Sequence, residues 1–261
     1  MSQLDHILDI SNLSKNFGGL SAVKNCSLKI KRGSITGIIG PNGSGKSTLF
    51  NLIAGSLKPN SGKVLFNNEN ITGIPSYDLF SKGILRTFQI AHEFSNLTVL
   101  ENLMMVPPNQ RGENLINALF MRKKFKNEED QIRKKAYEVT EFLNLKHLAN
   151  ELAGNLSGGQ KKLLELGRTM MVNSKLVLLD EVGAGVNRTL LKDLGTAILR
   201  LNKEKGYTFC MIEHDMDFIS RMCDPVIVLS DGSVLFEGSS EAVKNNEQVI
   251  ESYLGRSNKK N

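Results

Sequence analysis

The apolar positions of the chain follow two patterns, one typical of strands near both ends and one typical of helices between them. Up to about residue 71, short runs of apolar and β-branched residues predict strands. These runs lie around residues 7–12, 23–30, 35–39 and 64–66. The short spacing between the outer runs predicts antiparallel pairing at one edge of a larger sheet.

From about residue 75 to residue 156 the pattern is mainly helical. Within residues 129–145, apolar side chains recur with a helical period, at Ile132, Ala136, Val139, Phe142 and Leu143. Strand signals are missing from this stretch of sequence. We therefore expect a helical lobe inserted into the rest of the fold.

The last third of the chain returns to alternating strands and helices. Buried strands are predicted at residues 175–179 and 207–212, with an amphipathic helix over residues 188–203 between them. Two further apolar runs flank Asp231 and Gly232, which together are a signal for a tight hairpin. Alternation of this kind predicts an α/β fold.

Composition is that of an ordinary globular protein, since 40% of the 261 residues are hydrophobic and 23% are charged. We expect one domain with an appendage, without a bilayer-spanning segment or a secretion signal. Cys26, Cys210 and Cys223 share no metal-ligand spacing. They are expected to be small core residues of a reduced cytosolic protein.

The net charge of +6 permits contact with nucleic acid but does not require it. Basic residues cluster at 122–126 and 133–135, with acidic residues 128–130 between them. Such mixed charge is typical of the solvated face of a helix, and Phe125 alone is too little to stack bases. We therefore expect no nucleic-acid partner, and a flexible tail over residues 255–261.

The strongest chemical signal is the phosphate-binding pattern G-x-x-x-x-G-K-S/T. Its residues are Gly40, Pro41, Asn42, Gly43, Ser44, Gly45, Lys46 and Ser47. A predicted buried strand precedes this loop, and a predicted helix from Thr48 to Ala54 follows it. Backbone N–H groups and the positive end of that helix then face one phosphate. Lys46 would reach the β- and γ-phosphates of a nucleotide and Ser47 would bind Mg²⁺. The alternative is a glycine-rich turn without a ligand.

Two carboxylates, Asp180 and Glu181, end the predicted strand at residues 175–179. The carboxyl ends of parallel strands border the crevice where such sheets bind ligands. Asp180 would hold Mg²⁺ through water, and Glu181 would orient and deprotonate an attacking water. An acidic pair at the end of a strand is weak evidence by itself, but it becomes strong behind a phosphate loop.

The second specific motif is Leu156-Ser157-Gly158-Gly159-Gln160, which precedes a predicted helix. Taken alone it is an ordinary helix N-cap at Ser157. With the phosphate loop, however, the chain resembles the ATP-binding subunits of ABC transporters from about residue 8 to residue 254. This resemblance implies a P-loop NTPase core with an antiparallel β edge subdomain and an inserted α-helical subdomain. It implies a single domain over residues 7–254, in which residues 7–75 and 157–254 form the edge and core and residues 76–156 form the helical part.

Further roles come only through the resemblance. Gln89 corresponds to the glutamine that contacts Mg²⁺ and the γ-phosphate region and senses the membrane partner. His214 corresponds to the histidine that contacts the γ-phosphate, and Phe17 to the aromatic residue that stacks on adenine. Without the resemblance, Gln89 would be interpreted as a loop residue, His214 as a structural cap and Phe17 as a core or turn residue. The implied nucleotide-binding set is completed by Thr48, Ser157, Gly158, Gly159 and Gln160.

One position departs from the family pattern. Val182 stands where the family usually has proline after the catalytic glutamate. Proline there would restrict the backbone but contributes no chemical group. We therefore expect altered local stiffness around residues 184–187 and not a loss of catalysis.

Within the family, residues 85–89, 97–102, 184–187, 212–216 and 253–255 resemble the ATPases of branched-chain amino-acid importers. Urea importer ATPases are closely similar, and the lipopolysaccharide-export ATPase shares part of the pattern. The resemblance implies ATP and Mg²⁺ as ligands and a head-to-tail dimer with itself or a paralogous ATPase. It also implies transmembrane permease subunits, an extracytoplasmic solute-binding protein, and a location at the cytoplasmic face of the membrane.

Two other classes of protein use the same phosphate loop. A soluble relative acting in DNA repair would carry long coiled-coil or zinc-bearing insertions, and one acting in translation would carry two cassettes. The sequence has no sustained heptads, no C-x-x-C pair and a single phosphate loop. A small-molecule kinase would leave the motif at residues 156–160 without a purpose.

Overall fold

The computed structural model describes residues 5–87, 93–108 and 122–254, without the side chains of residues 122–126 and 254. Two compact units are formed. The core unit takes its residues from Met1–Gln89, Lys175–Ala184 and Ile198–Asn261. The helical unit takes its residues from Ile90–Ser174 and Gly185–Ala197.

An antiparallel sheet in the core unit contains the first strands of the chain. Its members are β1 (His6–Phe17), β2 (Leu20–Lys31), β4 (Ser61–Phe66) and β5 (Glu69–Asn70), in the order β2-β1-β4-β5. The predicted antiparallel pairing is confirmed. The strands form a sheet of their own, however, and not the edge of a larger one. β1 and β2 alternate between buried and exposed residues, whereas strands inside a parallel sheet are buried throughout.

A six-stranded sheet forms the centre of the core unit. Its members are β3 (Ile35–Ile39), β6 (Ile84–Arg86), β7 (Leu176–Asp180), β8 (Thr208–Ile212), β9 (Val226–Ser230) and β10 (Ser233–Gly238). Their order is β10-β9-β3-β8-β7-β6, and all neighbours except β9 and β10 pair in parallel. Every residue of β3, β7 and β8 is buried, as expected for apolar strands covered on both faces.

The predicted hairpin between β9 and β10 is confirmed. Asp231 and Gly232 both adopt the left-handed backbone, with φ of 47° and 84°. Two such residues in succession give a turn whose twist matches the flanking antiparallel strands.

Strand β6 lies in a region where the sequence predicts no strand. Its three residues are too few for a period of two to be recognised, and its place comes from pairing with β7. The partners are far apart in the chain, since Arg86 pairs with Leu178.

Nine α-helices lie among the described residues. They are α1 (Lys46–Ile53), α2 (Ser76–Lys82), α3 (Val99–Met104), α4 (Arg122–Phe142), α5 (Gly158–Met170), α6 (Arg188–Lys205), α7 (Met216–Met222), α8 (Ser240–Lys244) and α9 (Glu247–Leu254). The helices predicted behind the phosphate loop, over residues 129–145 and over residues 188–203 are confirmed as α1, α4 and α6. Along the ranges that the structure describes, none of the helices has the length and apolar character that a bilayer span demands.

Helices α3, α4 and α5 pack together in the helical unit around Gly167. A Cβ atom on Gly167 would lie 2.8 Å from Leu143, 3.1 Å from Val139 and 3.2 Å from Leu103. Glycine therefore permits this close approach without a shift of the neighbouring side chains. Because α5 packs on the helices before it, the boundary expected after residue 156 falls inside the helical unit.

The cysteines are buried, as the sequence predicted. Cys26, Cys210 and Cys223 are at most 5% exposed and form no disulfide. Burial raises the pKa of the Cys26 thiol to about 11 and that of the Cys223 thiol to about 12. The three side chains therefore behave as small apolar residues.

Candidate functional site

The phosphate loop connects β3 to α1 in a conformation that depends on glycine. Gly40 and Gly45 have φ of 151° and 100°. A Cβ atom on Gly40 would lie 2.1 Å from the carbonyl oxygen of Leu229, and one on Gly45 would lie 2.4 Å from that of Ala22. Both neighbours are backbone atoms, so neither position has room for a side chain.

Hydrogen-bond donors converge on this loop. Helix α1 begins at Gly45, which offers no side-chain cap to the first N–H groups of the helix. The Lys46 ammonium is 6% exposed and donates to the carbonyl oxygens of Gly40 and Pro41, at 2.8 and 3.1 Å. The hydroxyl of Ser44 is buried without a hydrogen-bond partner in the described part of the chain. Uncapped N–H groups, an ammonium and an orphaned hydroxyl fit a polyphosphate.

The remaining loop residues lie nearer the surface. Asn42, Gly43 and Ser47 are exposed, and Thr48 is half-buried in the first turn of α1. Among the residues that the structure describes, no group of three or more His, Cys, Asp or Glu side chains could hold a metal ion. In nucleotide sites Mg²⁺ usually keeps several waters and binds one or two carboxylates together with phosphate oxygens. The Ser47 hydroxyl and the Asp180 carboxylate are oxygen donors of the required kind.

Asp180 is the last residue of β7, as predicted, and it is 6% exposed. Its Oδ2 accepts a hydrogen bond from Nη2 of Arg86 at 2.6 Å. The other terminal nitrogen of Arg86, Nη1, donates to Oδ1 of Asn51 in α1. The sequence analysis assigned no role to Arg86 or Asn51. The sequence carried no signal for this role of Arg86, because β6 is too short to be recognised and its partner β7 lies far along the chain.

Glu181 and His214 contact each other directly. His214 Nε2 lies 2.9 Å from Glu181 Oε1, and the side chains are 51% and 21% exposed. Glu181 has φ of 48°, a left-handed conformation that is uncommon for residues with a Cβ. Its N–H donates to the carbonyl oxygen of Ile212 at 2.9 Å, which holds it at the end of β8. Two residues 33 positions apart, each predicted from its own motif, are thus brought together.

A buried carboxylate that the sequence analysis missed supports this pair. Glu213 is 5% exposed, and its Oε1 accepts a hydrogen bond from the N–H of Gly183 at 2.7 Å. Burial raises the pKa of Glu213 above its ordinary value. The contact fixes the segment that follows Glu181, where Val182 is 4% exposed. An acidic residue directly after the apolar run Phe209–Ile212 was the available signal.

The pKa of Tyr253 in α9 is also shifted. Burial raises the pKa of its phenol above the ordinary value, and the backbone N–H of Gly40 partly offsets this rise.

The motif at residues 156–160 starts helix α5 in the helical unit. Ser157 is the N-cap, and its hydroxyl accepts from the N–H of Gln160 at 3.4 Å. Gln160 Oε1 accepts in return from the N–H of Ser157 at 2.9 Å, which completes a capping box. A Cβ atom on Gly159 would lie 2.4 Å from Leu190, whereas one on Gly158 would meet nothing nearer than 3.8 Å.

The remaining expected residues are Phe17 and Gln89. Phe17, at the end of β1, is 46% exposed, with Lys15 Nζ 5.3 Å from its ring centroid. A role in the buried core is therefore excluded for Phe17. Gln89 lies outside the described residues.

Comparison with known proteins gives a consistent result. Residues 23–184 match the family model described as "ABC transporter", and residues 233–257 match "Branched-chain amino acid ATP-binding cassette transporter". The "Probable branched-chain amino acid transport ATP-binding protein LivG" of Methanocaldococcus jannaschii is 43% identical over 253 residues, which cover 95% of this chain and 97% of that protein.

Solved structures give the same fold. An ATP-binding cassette of an ABC transporter in its ADP conformation has a TM-score of 0.82 and 40% identity, covering 96% of this chain and 99% of that one. A dimeric cassette in a post-hydrolysis state bound to ADP and Pi has a TM-score of 0.71 and 28% identity, with 89% and 98% covered.

Proposed function

Because the chain belongs to the ATP-binding subunits of ABC transporters, we propose that it hydrolyses ATP to power the import of branched-chain amino acids. The observation that carries the choice of solute is the C-terminal segment, which matches the branched-chain amino-acid model over residues 233–257. The ATPases of urea importers and of lipopolysaccharide export are the alternatives. A solute-specific uptake measurement separates them.

The core unit supplies the nucleotide site of this proposal. Lys46 and the N–H groups of the loop bind the β- and γ-phosphates, and the half-exposed ring of Phe17 stacks on adenine. When bound by Ser47, Asp180 and Gln89, Mg²⁺ neutralises phosphate charge. Most of the catalytic effect then comes from positioning and from charge stabilisation.

The Glu181–His214 pair supplies the proton chemistry. Glu181 accepts a proton from the attacking water, and His214 holds the carboxylate in place from 2.9 Å. Two hydrogen bonds fix the backbone around the pair. The N–H of Glu181 donates to the carbonyl oxygen of Ile212, and the N–H of Gly183 donates to the carboxylate of Glu213. These contacts preorganise the carboxylate before the nucleotide binds.

The helical unit supplies the contact with a second subunit. ABC cassettes form dimers, as the solved relative with ADP and Pi illustrates. In the proposed head-to-tail dimer, with itself or a paralogous ATPase, Ser157 and Gly159 of one subunit close over the nucleotide held by the other. Hydrolysis then changes the contacts that join the two subunits. Permease subunits would carry this motion into the membrane, with the chain on its cytoplasmic face and a solute-binding protein delivering substrate.

The test is ATP-driven uptake in vesicles that contain the membrane subunits co-purified with this chain. We expect leucine uptake with the natural sequence. Replacing Glu181 by Gln is expected to slow ATP turnover and uptake by about 10²–10⁴-fold, the usual range for losing a general base, while ATP still binds. Glu204→Gln is the matched control, because this half-exposed residue forms an ion pair with Arg200 on the same helix.

Each outcome bears on a different part of the proposal. Near-normal hydrolysis by Glu181→Gln would remove this residue from the role of base. Uptake of urea without uptake of leucine would shift the chain to the alternative branch. Association with ribosomes or DNA in place of membrane subunits would contradict a role in transport altogether.

A further inference from the structure

Arg86 occupies a junction of the core unit that the mechanism above leaves unexplained. It is the last residue of β6 and pairs with Leu178 of β7, two residues before Asp180. Its guanidinium group contacts two other elements, the end of β7 through Asp180 and helix α1 through Asn51. One side chain thus joins the strand that ends in Asp180 to the helix that begins at the phosphate loop.

Both terminal nitrogens of the Arg86 guanidinium group donate a hydrogen bond. Nη2 donates to Asp180 at 2.6 Å and Nη1 donates to the side-chain oxygen of Asn51. The side chains of Arg86 and Asp180 are only 16% and 9% exposed, so water screens this ion pair weakly. Arg86 Nε is buried with no hydrogen-bond partner in the ranges that the structure covers. Its position is therefore fixed by the two terminal nitrogens.

This arrangement restricts the Asp180 carboxylate. A guanidinium group is planar and its donors are rigid, so fixing one end on Asn51 fixes the direction from which the other end reaches Oδ2. The hydrogen bond from Nη2 of Arg86 is made to Oδ2 of Asp180, and Oδ1 is the oxygen left for a ligand. Arg86 also compensates the charge of a carboxylate that would otherwise be costly to bury.

We propose that Arg86 is a positioning residue that orients the Asp180 carboxylate for binding a divalent cation, with Asn51 as its second anchor. The inference rests on the proposed function, in which Asp180 helps to hold Mg²⁺. Residues that hydrogen-bond metal ligands without touching the metal change metal affinity by about 10–100-fold when they are replaced. An effect of that size is expected for the loss of the guanidinium group.

The experiment measures binding of a non-hydrolysable ATP analogue to the full chain by fluorescence, in EDTA and across a Mg²⁺ titration. Arg86→Met keeps much of the side-chain volume but removes both donors. We expect its half-saturating Mg²⁺ concentration to rise by about tenfold or more, while the affinity in EDTA stays within about twofold. Arg86→Lys separates charge from geometry, because it keeps a cation that can reach Asp180 but lacks the planar group that also binds Asn51, so it should recover only part of the Mg²⁺ response.

The possible results are distinct. An unchanged Mg²⁺ response in Arg86→Met, or an equal loss of affinity with and without Mg²⁺, would overturn the role of Arg86 alone. If the natural sequence itself binds the analogue independently of Mg²⁺, the metal role of Asp180 fails and this inference fails with it.

A second variant, Asn51→Ala, tests the proposal with less risk to folding. It removes the side-chain oxygen that accepts from Nη1 of Arg86, and it leaves no charge unpaired. If Arg86→Met does not fold, this variant and Arg86→Lys decide the matter. A rise in the half-saturating Mg²⁺ concentration for Asn51→Ala supports the proposal. Responses equal to that of the natural sequence in both variants would refute it.

Discussion

Two helices in this chain begin with a glycine-bearing motif, and they are built in opposite ways. Helix α1 has Gly45 as its N-cap, and because glycine has no side chain, the first N–H groups are left without a side-chain cap. Helix α5 starts at Ser157, which forms a complete capping box with Gln160. The glycines differ as well. Gly45 is required by a backbone carbonyl 2.4 Å from its would-be Cβ, whereas Gly158 faces nothing within 3.8 Å.

The difference indicates what each motif needs from outside. A helix start without a cap has N–H groups that an anion can satisfy, so the phosphate loop is suited to a ligand of its own. A helix start that caps itself is complete without a ligand. Gly158 is exposed and no close contact within its own unit requires glycine there, which agrees with the proposed contact to a neighbouring subunit.

The largest expected effects come from disabling each motif in turn. Lys46→Ala removes the ammonium from the phosphate loop, and Ser157→Arg places a bulky cation at the start of α5. Each variant alone should lose about 10²–10³-fold or more in ATP turnover, the scale for removing a charge-stabilising donor. If the motifs act across a dimer interface, a mixture of the two variants contains dimers with one intact composite site. Turnover measured after mixing should then exceed that of either variant alone.

The control is the ATP turnover of each variant alone, measured at the same total protein concentration as the mixture. No regained activity, under conditions where mixed dimers are shown to form, would mean that the two motifs are not shared between subunits. Full activity of Ser157→Arg alone would mean that α5 takes no part in turnover.

The next effect is on stability, at Gly45. Alanine there meets the carbonyl oxygen of Ala22 at 2.4 Å and keeps a φ of 100°. We expect a loss of about 3 kcal/mol in the free energy of unfolding, from about 1–2 kcal/mol of left-handed strain and about 1–3 kcal/mol of overpacking. Urea unfolding measures this loss. Gly206→Ala is the control, because its φ is 70° but its Cβ would meet nothing within 4 Å. Equal losses in the two variants would mean that the Ala22 contact is unimportant.

The same contrast explains what the sequence was able to predict. Strand β3 has the predicted bounds, 35–39, because three of its five residues are isoleucine and it is flanked by Ser34 and Gly40. The phosphate loop and the capping motif were also recognisable, because each is contiguous in sequence. Local patterns of this kind carry their own structural information.

Contacts between distant segments could not be predicted. Arg86 and Asp180 are 94 residues apart, and they meet only because β6 pairs with β7. Glu213 lies in a recognised motif, but its partner is a backbone N–H in a different one. The register between strands decides both contacts, and a single sequence holds no measure of that register.

A smaller effect on stability is expected at Gly158 and Gly159, at the start of α5. Gly159→Ala would place its Cβ 2.4 Å from Cδ1 and 2.6 Å from Cβ of Leu190, so the helix must shift to make room. We expect a loss of about 1–3 kcal/mol in the free energy of unfolding, typical of overpacking. Gly158→Ala is the matched control, with open space at the adjacent position. Its stability should change by no more than about 0.5 kcal/mol, as for other surface substitutions. A larger loss at Gly158 than at Gly159 would contradict the packing argument.

The smallest effect tests whether α5 is complete without a ligand. Ser157→Ala removes the hydroxyl that accepts from Gln160 N–H, at the long distance of 3.4 Å. The cost should lie near the low end of the range for N-cap loss, at about 0.5–1 kcal/mol. Ser157→Asp keeps an acceptor at the cap and should lose less. Unfolding of the isolated chain, with and without ATP, measures both variants. If α5 caps itself and contacts nucleotide only across a dimer, the loss for Ser157→Ala should be the same with and without ATP at concentrations where the chain is monomeric. A loss that grows when ATP is added to the monomer would show that Ser157 touches the nucleotide of its own subunit, and the contrast between the two helix starts would then no longer hold.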